Sequence, residues 1–455
     1  MTTKAAPDDR HARQHRPRVP LGWIGLAVCM VMGSALMLST PATASATRPL
    51  IVSLTFDDGS ADQMTAYQLL KNRGMVGTFY INSSFIGSPG FMTRADLETL
   101  KANGHEIGGH SFQHPSLISV SPGEANRQIC TDRNILLSWG YAVTSFAYPF
   151  SDFSPSVKST VQSCGYNTAR AGAGLRSPHS CTECAAAEPI PPADLFETPT
   201  PDAVDTTWTL QKLKNTVTRA ETNGGWLPLA FHHVCDGCDL RSIRPNVLDE
   251  FLAWLQPRSR PTIRTTVRTV QQVVGGNVKP PVTPIPPPPP GGPGVNTVRN
   301  PSLETASSGN QNLPKCFTDS AGYGTNNVTF RRVTDAHSGS LGERVRIISR
   351  KDGDAKLVQF MDLGECSSQV ASGRRYEVSA WYKSNAEVFF TLYKRNATGE
   401  WSYWTQSPRF QASDIYVPAT WQCPPVPRGT VAMSFGLTLD SVGSFTTDNY
   451  SLVAR

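Results

Sequence analysis

LTFDDGS, residues 54–60, closes an apolar run that begins at Leu50 and places two carboxylates, Asp57 and Asp58, where the run ends. An Asp-Gly pair after an apolar strand is a common turn signal, because Asp tolerates turn geometry and Gly supplies positive φ. Strand geometry offers a second interpretation. Successive side chains point to opposite sides, so the two acids would do different jobs. One would hold a cation and the other would move protons, provided that the chain supplies further ligands.

Strands and helices alternate around this stretch from residue 47 to residue 278. Apolar strand patterns such as LIVSLTF and VGTFYIN are followed by helical patterns. Thr93 caps one predicted helix, and Ser121 with Glu124 forms a capping box at the start of another. This alternation predicts an α/β fold with a parallel sheet, most simply a (β/α) barrel, whose chemistry lies where strands end.

A proline-rich segment, residues 279–295, marks a domain boundary. Proline lacks a backbone donor, so this segment predicts a semi-rigid polyproline II linker. Beyond it, residues 296–455 show short alternating strands and no helical pattern, which predicts an antiparallel β-sandwich. The chain is thus expected to comprise a barrel domain at 47–278, a linker, and an all-β domain at 296–455.

The amino terminus has the pattern of a secretory signal peptide. Residues 1–20 are polar and arginine-rich, residues 21–38 are apolar, and Ala44 and Ala46 form an A-x-A cleavage signal. We expect residues 1–46 to be removed and the protein to be secreted and extracellular, without membrane contact; an uncleaved membrane anchor is the alternative. Cleavage would lower the formal net charge from +6 to +3, because five basic and two acidic residues leave. This near-balance gives no sign of a nucleic-acid partner, and we expect a monomer.

The chain contains 10 cysteines. Two C-x-x-C pairs could form zinc knuckles, but their separation is wide for a zinc ribbon, and disulfides are the expected use in an exported chain. The candidate disulfide cysteines of the barrel domain are Cys130, Cys164, Cys181, Cys184, Cys235 and Cys238. We expect the two C-x-x-C loops to be stapled together, and one of the three cysteines in the last domain to be free.

Histidines follow two further strand patterns. His110 and His114 are four residues apart in HSFQH, in a tight turn or loop that brings both imidazoles to one side. His232 and His233 end the last strand of the barrel pattern, and alternation lets only one of them face the centre. One carboxylate and two histidines would hold a metal, and the second carboxylate and a third histidine would serve as base and acid.

With these motifs in place, the chain resembles the polysaccharide deacetylase family of metal-dependent carbohydrate esterases. TFDDG (55–59), HSFQH (110–114), FAYPFS (146–151) and AFHHV (230–234) are similar to four of its motifs. The resemblance, over residues 49–275, implies a distorted barrel of seven or eight strands. It also implies that a divalent metal, usually Zn²⁺, binds Asp58, His110 and His114.

The same resemblance implies the remaining roles. Asp57 would be the base, His232 the acid, and the backbone N–H of Phe150 an oxyanion donor. Tyr148 and Pro149 would contact substrate. The family's third motif carries an arginine that orients the base, but here the position is Ala147, which leaves Asp57 without its expected cation. An acid that tunes the acid histidine is poorly matched, and Asp205, or Asp202, is the candidate.

The last domain resembles the jelly-roll carbohydrate-binding modules found beside secreted glycan enzymes. We therefore expect a deacetylase acting on an N-acetylglucosamine polymer such as chitin, chitooligosaccharide or peptidoglycan, with a glycan-binding module. Two alternatives stay open. One is an acetylxylan esterase using the same site, and the other is a non-catalytic wall-binding protein with a degenerate barrel.

Overall fold

The structure is a computed structural model, and it describes residues 49–256, 259–260, 263–319 and 322–455. The predicted signal peptide therefore lies outside the described residues. The first eleven strands are β1 Leu50–Phe56, β2 Thr78–Ile81, β3 Glu106–Gly109, β4 Ser145–Ala147, β5 Thr168–Gly174, β6 Thr198–Thr200, β7 Gly225–Phe231, β8 His233–Val234, β9 Ser242–Ile243, β10 Ser259–Arg260 and β11 Ile263–Val267. The helices are α1 Gln63–Lys71, α2 Arg94–Ala102, α3 Pro122–Ser138, α4 Pro155–Ser163, α5 Leu210–Glu221, α6 Pro245–Leu255 and α7 Val270–Val274.

A parallel sheet in the order β6-β5-β4-β3-β2-β1-β7 forms a distorted, open barrel, as predicted. Within it, β1 lies between β2 and β7. All seven residues of β1 are buried, in keeping with a parallel strand covered on both faces. β1 pairs with β7 along its length on one side, and with β11 and then β2 on the other.

Parallel pairing brings the carboxyl ends of the strands to one edge. Phe56 at the end of β1 is in register with Phe231 at the end of β7, and Ile81 of β2 pairs with Gly109 of β3. The residues that follow these strands therefore meet at this edge. Gly109 is needed there, because a Cβ on it would lie 2.1 Å from the hydroxyl of the buried Tyr166.

The second half of the chain is an antiparallel β-sandwich, and it contains no helix in residues 296–319 and 322–455. Its strands are β12 Phe317–Thr318, β13 Asn327–Val333, β14 Gly342–Ser349, β15 Ala355–Gln359, β16 Ser368–Gln369, β17 Tyr376–Ser384, β18 Phe389–Asn396, β19 Trp401–Gln406, β20 Ser413–Gln422, β21 Thr430–Leu439 and β22 Gly443–Ala454. One sheet has the order β12-β15-β21-β18-β19, with β16 on β21; the other has the order β13-β14-β22-β17-β20. A buried cluster that includes Phe390, Phe435 and Phe445 joins the two sheets.

The proline-rich segment lies along α3 rather than standing free as a spacer. The side chain of Asn134 both donates to and accepts from the backbone of Val282, and the side-chain oxygen of Asn126 accepts from the N–H of Ile285. The guanidinium of Arg133 donates to the carbonyls of Lys279 and Pro280. Because proline carbonyls remain strong acceptors, a polar helix face can hold such a segment through its side chains.

The described residues contain four disulfides, and one of the expectations about them is wrong. Cys130 pairs with Cys164, and Cys316 with Cys366, while Cys423 is free and buried, as expected for the odd cysteine of the last domain. The two C-x-x-C loops are not stapled together. Cys181 pairs with Cys184 and Cys235 with Cys238, so each loop closes on itself.

In the described part of the chain, the helices are all too short or too polar to cross a bilayer.

Candidate active site

Three strand ends build the site. Asp57 and Asp58 follow β1, His110 follows β3, and His232 follows β7. The N–H of Asp57 donates to the carbonyl of Phe231 across 2.9 Å, which fixes the ends of β1 and β7 side by side.

Asp58, His110 and His114 form the candidate metal site. One carboxylate oxygen of Asp58 lies 3.3 Å from Nε2 of His110 and 3.3 Å from Nε2 of His114. Their three ligand atoms all lie within 4.8 Å of one another. One carboxylate and two imidazoles at this spacing can hold a divalent cation such as zinc while leaving coordination positions open.

The tautomer of His110 is fixed by its surroundings. Its Nδ1 lies 2.7 Å from the carbonyl of Ala147, and because a carbonyl can only accept, Nδ1 carries the hydrogen. In the neutral imidazole, Nε2 then turns a lone pair towards the Asp58 carboxylate. Two acceptors that face each other at this distance suit a cation between them, so the residues present fit a metal ion.

Outer partners hold the backbone of the histidine loop. The carboxylate of Asp132 accepts from the N–H groups of His110 and Ser83, at 3.1 and 2.9 Å, and the amide of Asn82 donates to the carbonyl of His110. Burial raises the pKa of Asp132 to about 6. Sequence reasoning missed Asp132 and Asn82, since α3 and the end of β2 carry no motif that marks them.

HSFQH is a loop, as the following proline predicts, and not a helical turn. Ser111 and His114 have φ of 68° and 57°, and the Ser111 hydroxyl accepts from the N–H of His114. Asp58 also has a positive φ, of 76°. Such left-handed residues are costly outside glycine and persist where the surroundings impose them, commonly at functional sites.

The charges of the site are coupled. Burial alone would raise the pKa of Asp58, but the neighbouring imidazoles of His110 and His114 outweigh it and hold that pKa far below its usual value. Burial would lower the pKa of His110, yet the two carboxylates raise it. Burial, aided by the His110 charge, lowers the pKa of His114 to about 4. The site thus keeps an ionised carboxylate beside a neutral His114, which is the protonation state of metal ligands.

Asp57 does have a cationic neighbour, which corrects the expectation drawn from Ala147. The guanidinium of Arg170, on β5, donates to Oδ2 of Asp57, and both side chains are about 5 % exposed. The guanidinium also lies over the ring of Tyr80, 5.3 Å from its centroid. Sequence reasoning missed Arg170 because the arginine was expected at the position of Ala147 on β4, whereas Arg170 lies on β5. The available signal was a lone arginine in TARAGAG, a strand of otherwise small residues.

The last strand separates its two histidines, as alternation predicts. His232 is 8 % exposed and its Nε2 lies 3.9 Å from Oδ2 of Asp57, whereas His233 turns away and bonds the carboxylate of Asp62 at 2.7 Å. Burial lowers the pKa of His232, and Asp57 and Asp58 partly offset this effect.

Gln63, the first residue of α1, ties the two sides of this pair together. Its side-chain amide donates to the carbonyl of Asp57 and, across 2.7 Å, to the carbonyl of His232. The side chain is fully buried. Gln63 fixes the backbone on which both side chains are mounted, and no sequence motif pointed to it.

Asp205 does not reach His232. Its carboxylate accepts from the N–H and hydroxyl of Thr207, which closes a local turn. Asp202 lies in the cavity lining with His232, but its oxygens accept from Ser177 and Ser180. Nδ1 of His232 has no hydrogen-bond partner in the part of the chain that the structure describes.

A cavity of about 230 Å³ opens at the site, lined by Asp57, His110, His114, Phe150 and His232, among others. Phe150 has a φ of 57°, and its half-exposed ring lies 4.5 Å from that of His114, centroid to centroid. Tyr148 lines the wall, but its hydroxyl is bonded to the carbonyl of Phe196.

Pro149 is buried and lies outside the lining of this cavity, so the ring that the third motif presents to a ligand is Phe150. Arg241 completes the rim, with a guanidinium nitrogen 3.4 Å from Nε2 of His232.

The comparisons with known proteins find similarity over part of the chain. Residues 44–169 match the family model described as polysaccharide deacetylase. That range contains Asp57, Asp58, His110 and His114, and it ends one residue before Arg170.

Among curated proteins, the chain is 36 % identical over 103 residues to a peptidoglycan-N-acetylglucosamine deacetylase of Listeria monocytogenes, covering 22 % of this chain and 21 % of that protein. It is 30 % identical over 131 residues to a chitin deacetylase of Pestalotiopsis sp., covering 28 % and 42 %. The match thus spans less than half the length of either relative. A solved peptidoglycan deacetylase of Bacillus subtilis is 20 % identical, with a TM-score of 0.33, covering 50 % of this chain and 90 % of that one.

Proposed function

We propose that this protein is a secreted, metal-dependent deacetylase that hydrolyses N-acetyl groups of an N-acetylglucosamine polymer such as chitin, chitooligosaccharide or peptidoglycan. One observation carries the proposal: an Asp-His-His ligand set with converging lone pairs stands beside a second carboxylate that is held by an arginine. The family match over residues 44–169 and the printed activities of the two curated relatives support it.

Asp58, His110 and His114 would hold the metal, and zinc suits a site of one oxygen and two nitrogen ligands. When bound, such an ion polarises the acetyl carbonyl and lowers the pKa of a nearby water. Ala147 contributes through its carbonyl, which keeps the Nε2 lone pair of His110 available.

Asp57 is proposed as the general base. Its Oδ2 is occupied by Arg170, while its Oδ1 has no protein partner among the described residues and is the atom available to accept a proton. The bond from Arg170 holds the carboxylate of Asp57 in one orientation, which a base needs.

His232 is proposed as the general acid that protonates the leaving amine, which would otherwise be a poor leaving group. It lines the same cavity as Asp57, and its lowered pKa makes its protonated form a ready donor. The backbone N–H of Phe150 is proposed to donate to the developing oxyanion.

Secretion and a glycan-binding role for the β-sandwich complete the proposal. Four disulfides are typical of exported chains, which supports secretion. The sandwich presents exposed aromatic side chains such as Tyr403, 55 % exposed, of the kind that stack on sugar rings.

Acetate release from a panel of acetylated glycans tests the function. We expect release from chitooligosaccharide or peptidoglycan, its loss on treatment with a chelator, and its return with zinc. Acetate release from acetylxylan but from no other glycan would show that the enzyme is an esterase rather than an N-deacetylase. Glycan binding without acetate release from any substrate in the presence of zinc would contradict an enzymatic role.

A further inference from the structure

Where the barrel and the β-sandwich meet, one carboxylate of each domain accepts a hydrogen bond from the backbone of the other. Ser121 caps α3, but the expected return bond from Glu124 is absent. Instead, the N–H of Ser121 donates to Glu365 of the sandwich across 2.7 Å, and the N–H of Leu363 donates to Glu124 across 2.9 Å. The predicted capping box is therefore half formed, because each carboxylate satisfies a donor of the other domain. Such reciprocal, charge-assisted bonds fix the two surfaces in one register.

The same sandwich loop supports the loop that carries the metal ligands. The amide of Gln113, which lies between the two histidines, donates to the carbonyl of Met361 across 2.8 Å. The buried ring of Phe112 packs so closely on Gly399 that a Cβ there would lie 2.9 Å from it. The loop that carries the two histidines, residues 110–114, thus contacts the sandwich as well as the barrel.

The sandwich loop is itself rigid. Buried Asp362 accepts from the N–H groups of Gly364, Cys366 and Ser367. The disulfide from Cys366 to Cys316 ties it to the segment that precedes β12. A loop fixed in this way can present side chains at defined positions.

A cavity of about 650 Å³ lies between these surfaces and adjoins the candidate active site. Both cavities share His114 and Phe150 in their linings. From the sandwich, the larger one is lined by residues that include Ser308, Asn310 and Phe360. Its volume is in the range of ligand-binding clefts, which commonly form at domain interfaces.

The exposed groups of this cleft suit a sugar chain. Its lining also contains Lys315 and four acids whose carboxylates already accept hydrogen bonds from the protein: Glu124, Asp152, Asp362 and Glu365. Phe150 on the barrel and Phe360 on the sandwich are 54 % and 41 % exposed, and both present an aromatic ring to the cleft. Ser308 and Asn310 are exposed and supply neutral donors and acceptors. Aromatic faces with a few neutral polar groups match pyranose rings, which have apolar C–H faces and hydroxyl edges.

From these observations we propose that the β-sandwich forms one wall of the substrate cleft. A glycan chain held at the candidate metal site extends past Phe150 and contacts Asn310 and Phe360. The sandwich is then a specificity element fixed to the active site rather than a tethered anchor. This inference rests on the proposed function for the identity of the chain, and it predicts that longer oligomers gain contacts that short ones lack.

Equilibrium binding to the full chain tests the inference without turnover. N-acetylglucosamine hexamer and trimer are titrated by calorimetry into zinc-loaded protein that carries Asp57→Asn. We expect the hexamer to bind about tenfold more tightly than the trimer, and Phe360→Ala or Asn310→Ala to remove most of that advantage. Phe360→Tyr keeps a ring and should restore it. Ile415→Ala, an exposed sandwich residue outside this cleft, is the matched control, and melting temperatures verify folding.

The outcomes separate the two proposals. In the active enzyme, Phe360→Ala should raise KM for the hexamer about fivefold to tenfold and leave kcat unchanged. If acetate is released and neither Phe360→Ala nor Asn310→Ala changes hexamer binding or KM, the proposed function holds and the shared cleft is overturned. If hexamer binding depends on Phe360 but no acetate is released, the shared cleft holds and the proposed function is overturned. Failure of the hexamer to bind would also overturn the cleft.

Discussion

The two sides of the candidate site are built in different ways. On the metal side, Asp58, His110 and His114 come from two short motifs, and the imidazole of His110 is oriented by a backbone carbonyl, that of Ala147, while the side chains of Asp132 and Asn82 hold only its backbone. On the proton-transfer side, Asp57 and His232 depend on side chains from elsewhere: Arg170 on β5 and Gln63 on α1.

This difference reflects what each side must do. A metal ion orients its own ligand side chains once their backbone brings them close, so those side chains need few partners of their own. A general base must stay ionised and point in one direction without such an organiser, so it needs a fixed counter-charge and a fixed backbone. Mutations on the two sides should therefore separate metal binding from turnover.

The largest effect is expected on the metal side. His114→Ala should abolish tight zinc binding and lower acetate release by at least about 10³-fold, because the ion supplies several kcal/mol of transition-state stabilisation. Zinc is measured by elemental analysis after dialysis, and release by acetate assay. His179→Ala is the matched control, since His179 contacts Thr207 and Lys212 away from the ligand set. Equal loss in both variants would remove the metal role from His114.

A smaller effect should follow on the proton-transfer side. Arg170→Lys keeps a positive charge but loses the directed bond to Asp57, so kcat should fall by about 10²-fold, the usual cost of a misplaced catalytic group. Zinc content should not change. A variant that lost zinc as well as activity would break the distinction between the two sides.

Gln63→Leu sharpens the same distinction. It removes two hydrogen bonds to the carbonyls of Asp57 and His232, and should cost about 2 kcal/mol in the free energy of unfolding. We expect kcat to fall about tenfold, less than for Arg170→Lys, with zinc retained. Denaturant unfolding and acetate assays provide the two readouts, and unchanged kcat would show that α1 does not position the pair.

Glu343 in the sandwich is a reference carboxylate in which burial outweighs the support from its surroundings. It is fully buried, and burial raises its pKa to about 8 although the neighbouring charge of Arg332 partly offsets this effect. The folded state then holds this proton more tightly than the unfolded chain, so stability should fall as pH rises from about 4.5 to about 8.

Glu343→Gln should remove that loss. We expect the melting temperature of the variant to exceed that of the parent by at least about 2–4 °C at pH 8 and to match it near pH 4.5. Acetate release should not change. A parent melting temperature that rises between pH 5 and pH 8 in step with the variant would contradict the burial effect.

Much of the fold could be predicted from sequence because its signals are local. Thr93 caps α2 in a capping box, and the apolar run of β1 gives a strand buried on both faces. The failures are tertiary. Glu124 was expected to complete the cap of α3, but Glu365, 241 residues further along the chain, takes that donor. The C-x-x-C loops were expected to pair with each other, and spacing alone could not exclude closure within each loop.

In the candidate site, too, the residues in local motifs were predicted and those that depend on tertiary contacts were missed. Asp57, Asp58, His110, His114 and His232 come together, and each lies in a motif at a strand end. Arg170 was missed because its partner is 113 residues away in the chain, so that only the curvature of the sheet reveals the pair. Asp205 was the candidate for the acid that tunes His232, but local turn bonds to Thr207 already use its carboxylate.

Zinc content and acetate release of Asp57→Asn, measured side by side, test the central claim most directly. The substitution is nearly isosteric and leaves the three ligand side chains in place. We predict about one zinc per chain, as in the parent, and a turnover reduced by about 10²- to 10⁴-fold, the usual contribution of a general base. Near-parental turnover, or loss of zinc together with turnover, would contradict the division of labour between Asp57 and Asp58.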